Sequence, residues 1–581
     1  MPIKILPEET INKIAAGEVV ERPANAVKEL IENSLDAKST AVEIEIKGAG
    51  RRLLRVRDNG AGIAPGELKL AVTRHATSKI SGFKDLESLI SMGFRGEALP
   101  SIAAVSNILI QSQLPGASSG WELALSGGKV KKDSSWAGAP GTNIEVADLF
   151  FNTPARDKFL KSDATERGRI LNTIEELALA AYEVSFKVIS EGKTILETPK
   201  ASDPLERITD VLGRDFASSL IRAQVKHPLV ALDVFITKGD KSLSSRNHQF
   251  LFVNRRPVNF SKSIMHSVYE ACRENLPAGR HPGVVMFIDL DPSEIDVNIH
   301  PAKREVRFSK DQQMHHLIYT AIKEALGKAP AAQFGLSGQA PASGTQHSGS
   351  VKEPSAPYSY SSAITRSGIY MPPEKVKRDV QPELARRDGS ETSKKVVGQI
   401  FDLYVIAQEG DGLLIIDQHA AAERIRYEKY LAQWQSKHIT FQPLLFPENI
   451  ELPPSLMSIA AANLGTIREA GLEIAEFGTN TVRITAAPAV LGNNISAANM
   501  LKEVLEALSQ ETALPKPEKI EKIIRAACRS SIKAGDAISQ PESLRLVEDL
   551  LSCKAPNTCP HGRPTMLRIT KAELDRHFGR K

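Results

Sequence analysis

The clearest periodicity in the chain lies in the stretch PANAVKELIENSLD, which starts at Pro23. Val27, Ile31 and Leu35 recur there at helical spacing, and proline suits a first helical turn, so a helix is predicted to begin near Pro23. At roughly 100° per residue, Glu29, Asn33 and Asp36 share the opposite face. One side of this helix is suited to a core. The other carries a carboxylate, an amide and a second carboxylate, which in isolation reads as a solvated polar face.

The period then changes. Val42, Ile44 and Ile46 alternate with Glu43, Glu45 and Lys47; Gly48-Ala49-Gly50 turns the chain; Leu54 and Val56 alternate with Arg55 and Arg57. This is a β-hairpin pattern. It ends in Asp58-Asn59-Gly60-Ala61-Gly62. A strand followed by Gly-x-Gly invites a dinucleotide-binding reading, but Pro65 stands where the third glycine belongs. A second cluster, Gly93-Phe94-Arg95-Gly96, follows the polar segment 74–79 and lacks the Gly-Lys-Ser/Thr of a phosphate-binding loop. Each cluster alone reads as a turn. Pro140-Gly141-Thr142-Asn143 opens a further strand at 144–146.

Beyond about residue 204 the pattern predicts a strand over 247–257, a helix over 261–275, a strand over 284–288 and a helix over 312–326. Residues 329–395 are rich in Ala, Ser, Gly, Pro and Gln, with apolar positions too sparse to order the segment. A tether of that length spans on the order of 45 Å. Order returns at Val396. Leu403 and Val405, then 413–416, read as strands, and the second ends in Asp417-Gln418-His419, with Glu423 one helical turn further on. A carboxylate and an imidazole at a strand end make half of a metal site. Cys559 and His561, two apart, would point the same way on extended backbone.

At 581 residues the chain exceeds one core, and three or four domains are expected. A net charge of +5 and a pI near 8.8 fit nucleic-acid contact without requiring it. The first residues lack the apolar run of a signal peptide, and no stretch approaches a membrane span of about 20 apolar residues. Four cysteines do not make a disulfide framework, which points to a reducing cytoplasm.

Order and spacing add what the separate motifs lack. A helical Glu/Asn pair, then Asp-x-Gly-x-Gly, Gly-x-x-Gly and Gly-Thr, resembles the GHKL ATP site shared by gyrase B, the Hsp90 chaperones, histidine kinases and MutL. The words IAAGEVVERP, ENSLDA, RDNGAGI, RHATSKI and GFRGEAL are similar to those of the MutL DNA mismatch repair family. The resemblance implies an ATP site with Mg2+. In it Glu29 orients the attacking water, Asn33 is a metal ligand, and Asp58 accepts from the adenine amino group. Gly60 and Gly62 let backbone approach the ring, and Thr142 completes adenine recognition through water. Gly93 and Gly96 offer amides to phosphate under a lid that includes Thr77, Ser78 and Lys79. Lys303, in HPAKREVRF, would reach the γ-phosphate from another domain, coupling hydrolysis to domain position. With Arg255, Arg256, Arg304 and Arg307 it could also line a DNA groove that contacts phosphates with little sequence preference.

The C-terminal words DQHAxxExxxxE, ACR and CPHGRP resemble those of MutL proteins that carry their own endonuclease. They imply Asp417, His419, Glu423, Cys528, Cys559 and His561 as ligands of Zn2+ and/or Mn2+, with Asp417 and Glu423 catalytic. Glu428 completes the pattern but lies roughly 140° round the helix from Glu423. Cys553 fits no motif, and the triplet Ala271-Cys272-Arg273 reads as chance. Gln442, Leu445 and Pro447 match the Gln-x-x-Leu-x-Pro pattern of peptides that dock on the replication sliding clamp.

The implied architecture is multidomain α/β and α+β. It comprises a GHKL ATPase α/β sandwich (1–203), a ribosomal S5-like transducer domain (204–328), a disordered linker (329–395) and an α+β dimerisation/endonuclease domain (396–581) with a regulatory subdomain inserted at about 437–515. The implied protein is a cytoplasmic homodimer, nucleoid-associated during repair, that couples mismatch recognition by MutS to nicking of one DNA strand. The rival reading is an ATP-gated scaffold that recruits a separate nuclease and holds only a structural zinc. A topoisomerase or chaperone would leave the C-terminal words unexplained.

Overall fold

The computed structural model describes residues 17, 19–79, 91–93, 96–227, 230–243, 245–276, 280–296, 306–328, 394–491, 496–510, 520–521, 523–525, 538–560 and 562–580. The chain divides into two compact units, Met1–Ala329 with Lys394–Lys581, and Pro330–Ser393. The second lies outside the described residues, and with it nearly all of the expected tether.

The first lobe is built on the predicted helix and hairpin. Helix α1 (Pro23–Asp36) buries Ala26, Val27, Leu30 and Ile31. Strands β1 (Ala41–Lys47) and β2 (Leu53–Asp58) pair antiparallel and sink Ile44, Ile46 and Leu54 into the same core. They continue into β3 (Asn107–Gln113), β4 (Gly120–Ser126), β5 (Lys129–Trp136), β6 (Gly141–Ala147), β7 (Ser185–Ser190) and β8 (Lys193–Thr198). These eight strands form one sheet in the order β5-β4-β3-β6-β2-β1-β7-β8, in which β1 and β7 run parallel. Helices α2 (Ala98–Ala104) and α3 (Asp163–Ala180) complete the core with α1. Helix α4 (Pro204–Leu212) sends the fully buried Arg207 to the backbone carbonyls of Ala178, Ala181, Tyr182, Val184 and Pro199. It thereby satisfies acceptors that the end of α3 leaves without helical partners.

The second lobe holds β9 (Leu220–His227), β10 (Val230–Thr237), β11 (Gln249–Val253), β12 (Arg256–Val258) and β13 (Val284–Leu290), in the order β12-β11-β13-β10-β9. Helices α5 (Lys262–Cys272) and α6 (Asp311–Lys328) share its core. The single strand expected over 247–257 is two strands joined by a tight turn. Asn254 and Arg255 take φ of 48° and 65°, the left-handed pair that a two-residue hairpin loop requires.

After the gap, β14 (Lys394–Ile400), β15 (Tyr404–Glu409), β16 (Gly412–Asp417) and β20 (Met566–Thr570) form a four-stranded sheet in that order. Leu403 precedes its strand instead of lying in it. Helix α7 (Gln418–Gln435) serves two cores. Ala421 and Ile425 pack with this sheet and with α10 (Gln540–Ser552). Tyr427 and Tyr430 pack with a second layer made of β17 (Phe441–Glu451), α8 (Pro454–Ala462), β18 (Glu473–Glu476), β19 (Thr481–Pro488) and α9 (Ala497–Gln510). Helix α8 also meets α3, where Glu175 accepts from the N–H and hydroxyl of Ser455 at 2.9 and 2.8 Å. Among the described residues no helix is long and apolar enough to cross a membrane.

Candidate functional site

The polar row on α1 does not face solvent. Glu29 and Asn33 are half-buried, and Asp36 is tied to the glycine segment that follows the lid. Asp36 accepts from the backbone N–H of Met92 at 2.8 Å and of Gly93 at 3.1 Å. The Lys79 ammonium stands between the row and that segment, 2.8 Å from Asn33 Oδ1 and 2.5 Å from Asp36 Oδ2. A positive group is therefore already seated on the Asn33 oxygen. Thr77 and Ser78 are exposed, and the Thr77 hydroxyl accepts from the Lys79 N–H. Gly96 has a φ of 61°, and a Cβ there would stand 2.2 Å from the Ala76 carbonyl, so only glycine fits this turn.

The other end of the site is a buried polar cluster. Asp58, at the end of β2, lies opposite Thr142, at the start of β6. Its Oδ2 accepts from Ser34 Oγ at 2.8 Å and its Oδ1 from the Gly60 N–H at 2.9 Å. Burial pushes the carboxyl above the ordinary aspartate value, while the bonds from Gly60, Ser34 and the Thr142 backbone pull it back. Ser112 Oγ lies 2.9 Å from Thr142 Oγ1 and accepts from the Ile63 N–H at 2.8 Å. Gly141 has a φ of 114°, and a Cβ there would lie 2.1 Å from the Asp58 carbonyl, so the approach of β6 to β2 depends on glycine. Gly62, beyond Gly60, is also left-handed, with φ 72°.

A buried arginine reaches this site from the second lobe. Arg256 donates to the Ser91 carbonyl at 2.6 Å, next to the amides that Asp36 holds. Burial lowers its pKa, and Glu32, Asp36 and Glu29 partly restore it. The Arg255 guanidinium lies 4.2 Å over the Tyr182 ring and donates to the Tyr182 hydroxyl. The expectation that both line a DNA groove is therefore corrected for Arg256, which is buried inside the fold; Arg255 is half-buried against Tyr182. Arg307 is exposed, whereas Lys303 and Arg304 lie outside the described residues.

In the C-terminal region Asp417 caps α7, accepting from the Ala420 N–H at 2.9 Å. His419 follows on the first turn, and its Nδ1 is buried without a hydrogen-bond partner. Glu423, one turn on, is buried. Cys559 is buried too, and its neighbour Thr558 is held to α7 by Arg424 Nε at 2.6 Å. The Gly562 N–H donates to the Cys559 carbonyl at 3.0 Å. Among the described residues these ligands do not bring three donor atoms within 4.8 Å of one another; Cys528 and His561 lie outside the described residues. Glu428 accepts from the N–H groups of Lys554 and Ala555 at 2.7 and 3.1 Å, which makes it a brace. Burial pushes the Cys553 thiol up to about 11 and the Cys272 thiol up to about 12, as befits structural sulfur. Leu445 is 89% exposed and Phe446 78%, on the bulge where β17 loses register with β19 between Pro443 and Glu448. Gln442 and Pro447 flank them on the same exposed stretch.

Residues 21–150 match the family described as "Histidine kinase-, DNA gyrase B-, and HSP90-like ATPase". Residues 208–327 match "DNA mismatch repair protein, C-terminal domain", and 397–538 match "MutL C terminal dimerisation domain". The DNA mismatch repair protein MutL of Endomicrobium trichonymphae is 47% identical over 601 residues, covering 100% of both chains. The chain belongs to the MutL DNA mismatch repair family. The MutL of Symbiobacterium thermophilum is 34% identical over 638 residues, again covering 100% of both chains. The Aquifex aeolicus MutL ATPase domain complexed with ADP is 32% identical, over 47% of this chain and 94% of that one, with a TM-score of 0.36.

The chain thus joins a GHKL-type ATPase domain, a transducer domain and a MutL dimerisation domain. Within the MutL framework, reading the sequence missed Ser34, Ser112, the contact of Arg256 with Ser91 and the anchoring role of Asp36. Ser34 sits inside the ENSLDA word, where its distance from the Glu29–Asn33 face hid it. Ser112 and Arg256 meet the site only through folding, and no local pattern announces either.

Proposed function

We propose that this chain is an ATP-dependent MutL homodimer that couples mismatch recognition by MutS to metal-dependent nicking of one DNA strand. It acts in the cytoplasm, at the nucleoid during repair. The observation that carries the nicking half is His419. Its Nδ1 is buried without a hydrogen-bond partner, and in the sequence it follows the capping carboxylate Asp417 and precedes the buried carboxylate Glu423, which supports reading it as a metal ligand.

At the N-terminal site, Glu29 takes the proton of the water that attacks the γ-phosphorus, and ADP departs. Asp58 receives the adenine amino hydrogen, with Thr142 and Ser112 beside it. The Gly93 and Gly96 backbone faces the phosphates, and Lys303 reaches the γ-phosphate from the transducer domain. The Lys79 ammonium seated on Asn33 Oδ1 supports a cation position there. Asn33 would hold Mg2+, which would offset the charge of the phosphates. Binding therefore requires Lys79 to move, and the lid with it.

At the C-terminal centre, Asp417, His419, Glu423 and Cys559, with Cys528 and His561, would hold Zn2+ or Mn2+. Such an ion activates water and neutralises charge at the scissile phosphate. Asp417 fixes the first turn of α7, and Arg424 fixes the Thr558–Cys559 segment against it. The family's dimerisation domain supports a homodimer. Exposed basic residues such as Arg307 support salt-sensitive contact with DNA phosphates. The exposed Leu445, with Gln442 and Pro447, offers a clamp-docking peptide.

The test is nicking of supercoiled plasmid in Mn2+ by the wild type and by Asp417→Asn. Asparagine caps a helix as well as aspartate does, so the variant removes the charge and keeps the fold. Nicking by the wild type and none by the variant is expected. Equal nicking by both would remove Asp417 from the cutting site, and none by either when clamp and MutS are supplied and ATP hydrolysis is intact would leave the scaffold with a structural zinc.

A further inference from the structure

We infer that the transducer lobe carries a divalent transition-metal site of its own, made by His266, Glu270 and His315. His266 and Glu270 lie one turn apart on α5, on one face. His315 comes from the first turns of α6. Their donor atoms converge. His266 Nδ1 lies 3.2 Å from His315 Nε2 and 3.5 Å from Glu270 Oε2, and His315 Nε2 lies 3.8 Å from the same oxygen. Among the described residues this is the group of three metal-ligating atoms within 4.8 Å of one another.

The triangle has the dimensions of a coordination face. Ligands about 2.0–2.1 Å from a tetrahedral ion stand about 3.3 Å apart. All three edges fall close to that value. A proton shared between the imidazoles would explain the shortest edge alone. It would not bring one carboxylate oxygen within reach of both nitrogens. Two imidazoles and a carboxylate select Zn2+, Ni2+ or Cu2+ over the hard ions Mg2+ and Ca2+. The side chains of His266, Glu270 and His315 are 69%, 46% and 29% exposed, so an ion enters from solvent and keeps water at the fourth position. No sulfur takes part, which separates this site chemically from any centre that includes Cys559.

An ion here staples α5 to α6. Helix α6 ends at Lys328, directly before the chain leaves for residues 330–393. The site would therefore stiffen the root of the segment between the lobes. Its role is structural or regulatory, and it does not depend on the nuclease reading.

The experiment uses the full chain, stripped with chelator and then dialysed against Zn2+ at neutral pH. The parent is compared with the His266→Asn/His315→Asn double variant and with Glu270→Gln. The double variant is expected to bind one zinc fewer per chain. Zinc should slow hydrogen exchange over 262–272 and 311–328 in the parent and not in the double variant. Glu270→Gln should weaken this zinc at least about tenfold, since losing even an outer-shell partner costs that much. Co2+ at this site should add visible absorption without a thiolate charge-transfer band. Equal zinc counts, exchange that zinc leaves unchanged, or binding only at millimolar Zn2+ would overturn the site. The three side chains are exposed, so metal-free melting should coincide for all proteins; if the double variant melts early, Glu270→Gln alone decides.

Discussion

Asp58 is kept as an acceptor by bonds that oppose its own burial. Desolvation favours the neutral acid, and three donors favour the carboxylate. Asp58→Asn replaces one acceptor oxygen with a donor, which in the proposed site would face the adenine amino group. ATP affinity should fall by about 1.5–3 kcal/mol, roughly ten- to a hundredfold, and the preference for adenine over guanine should shrink. Nucleotide titration of the variant with ATP and GTP measures both, and unchanged affinity would remove Asp58 from the site. The place of Asp58 at a strand end before Gly-x-Gly was legible in the alternation of the hairpin, and its proposed role came from the family resemblance. Ser112, which meets the neighbouring Thr142 hydroxyl, was not legible, since β3 joins β6 only when the sheet forms. His266 and His315 are 49 residues apart, and their meeting is likewise a product of packing.

Local periodicity specified most helices and strands, and failed where a turn lacked its usual residues. The α1 stripe and the β1–β2 alternation survive intact because each runs the length of its element. The stretch 247–257 contained a hairpin turn, but Asn254-Arg255 has no glycine to mark it, and the alternation ran on through the bend. Helix α3 carries a consequence that no period could reveal. Burial pushes the Glu175 carboxyl up to about 7, against the two bonds from Ser455. A carboxyl whose folded value is raised stabilises its contact fully below the ordinary value, and that stabilisation is lost as the pH rises through about 7. The α3–α8 contact should therefore loosen between about pH 4.5 and 7, by at most about 3 kcal/mol. Hydrogen exchange over 454–462 at pH 5.5 and 8 would follow it. Glu175→Gln should make the exchange independent of pH beyond the intrinsic chemistry, and a pH dependence identical to the parent's would show that Glu175 is not the group responsible.

At the scale of the whole molecule, Leu445 and Phe446 stand side by side in water on the β17 bulge. Leu445 and Phe446 contribute little to either C-terminal core, so Leu445→Lys should leave the melting temperature within about a degree, its stability effect being within about 0.5 kcal/mol. The same variant should abolish capture by an immobilised sliding clamp, and clamp binding that survives the change would place the docking peptide elsewhere. The hydrogen bond from Arg256 to Ser91 has a reach of another kind. The hairpin that carries Arg256 belongs to the second lobe, and Ser91 directly precedes the amides that Asp36 holds on α1. Any ligand that shifts those amides must work against that arginine, and any force on the hairpin must be felt at α1. Thermodynamic reciprocity then sets a rule for both ends of the wire. By whatever factor nucleotide alters the affinity of the second lobe for a ligand, that ligand alters the grip of the first lobe on nucleotide by the same factor.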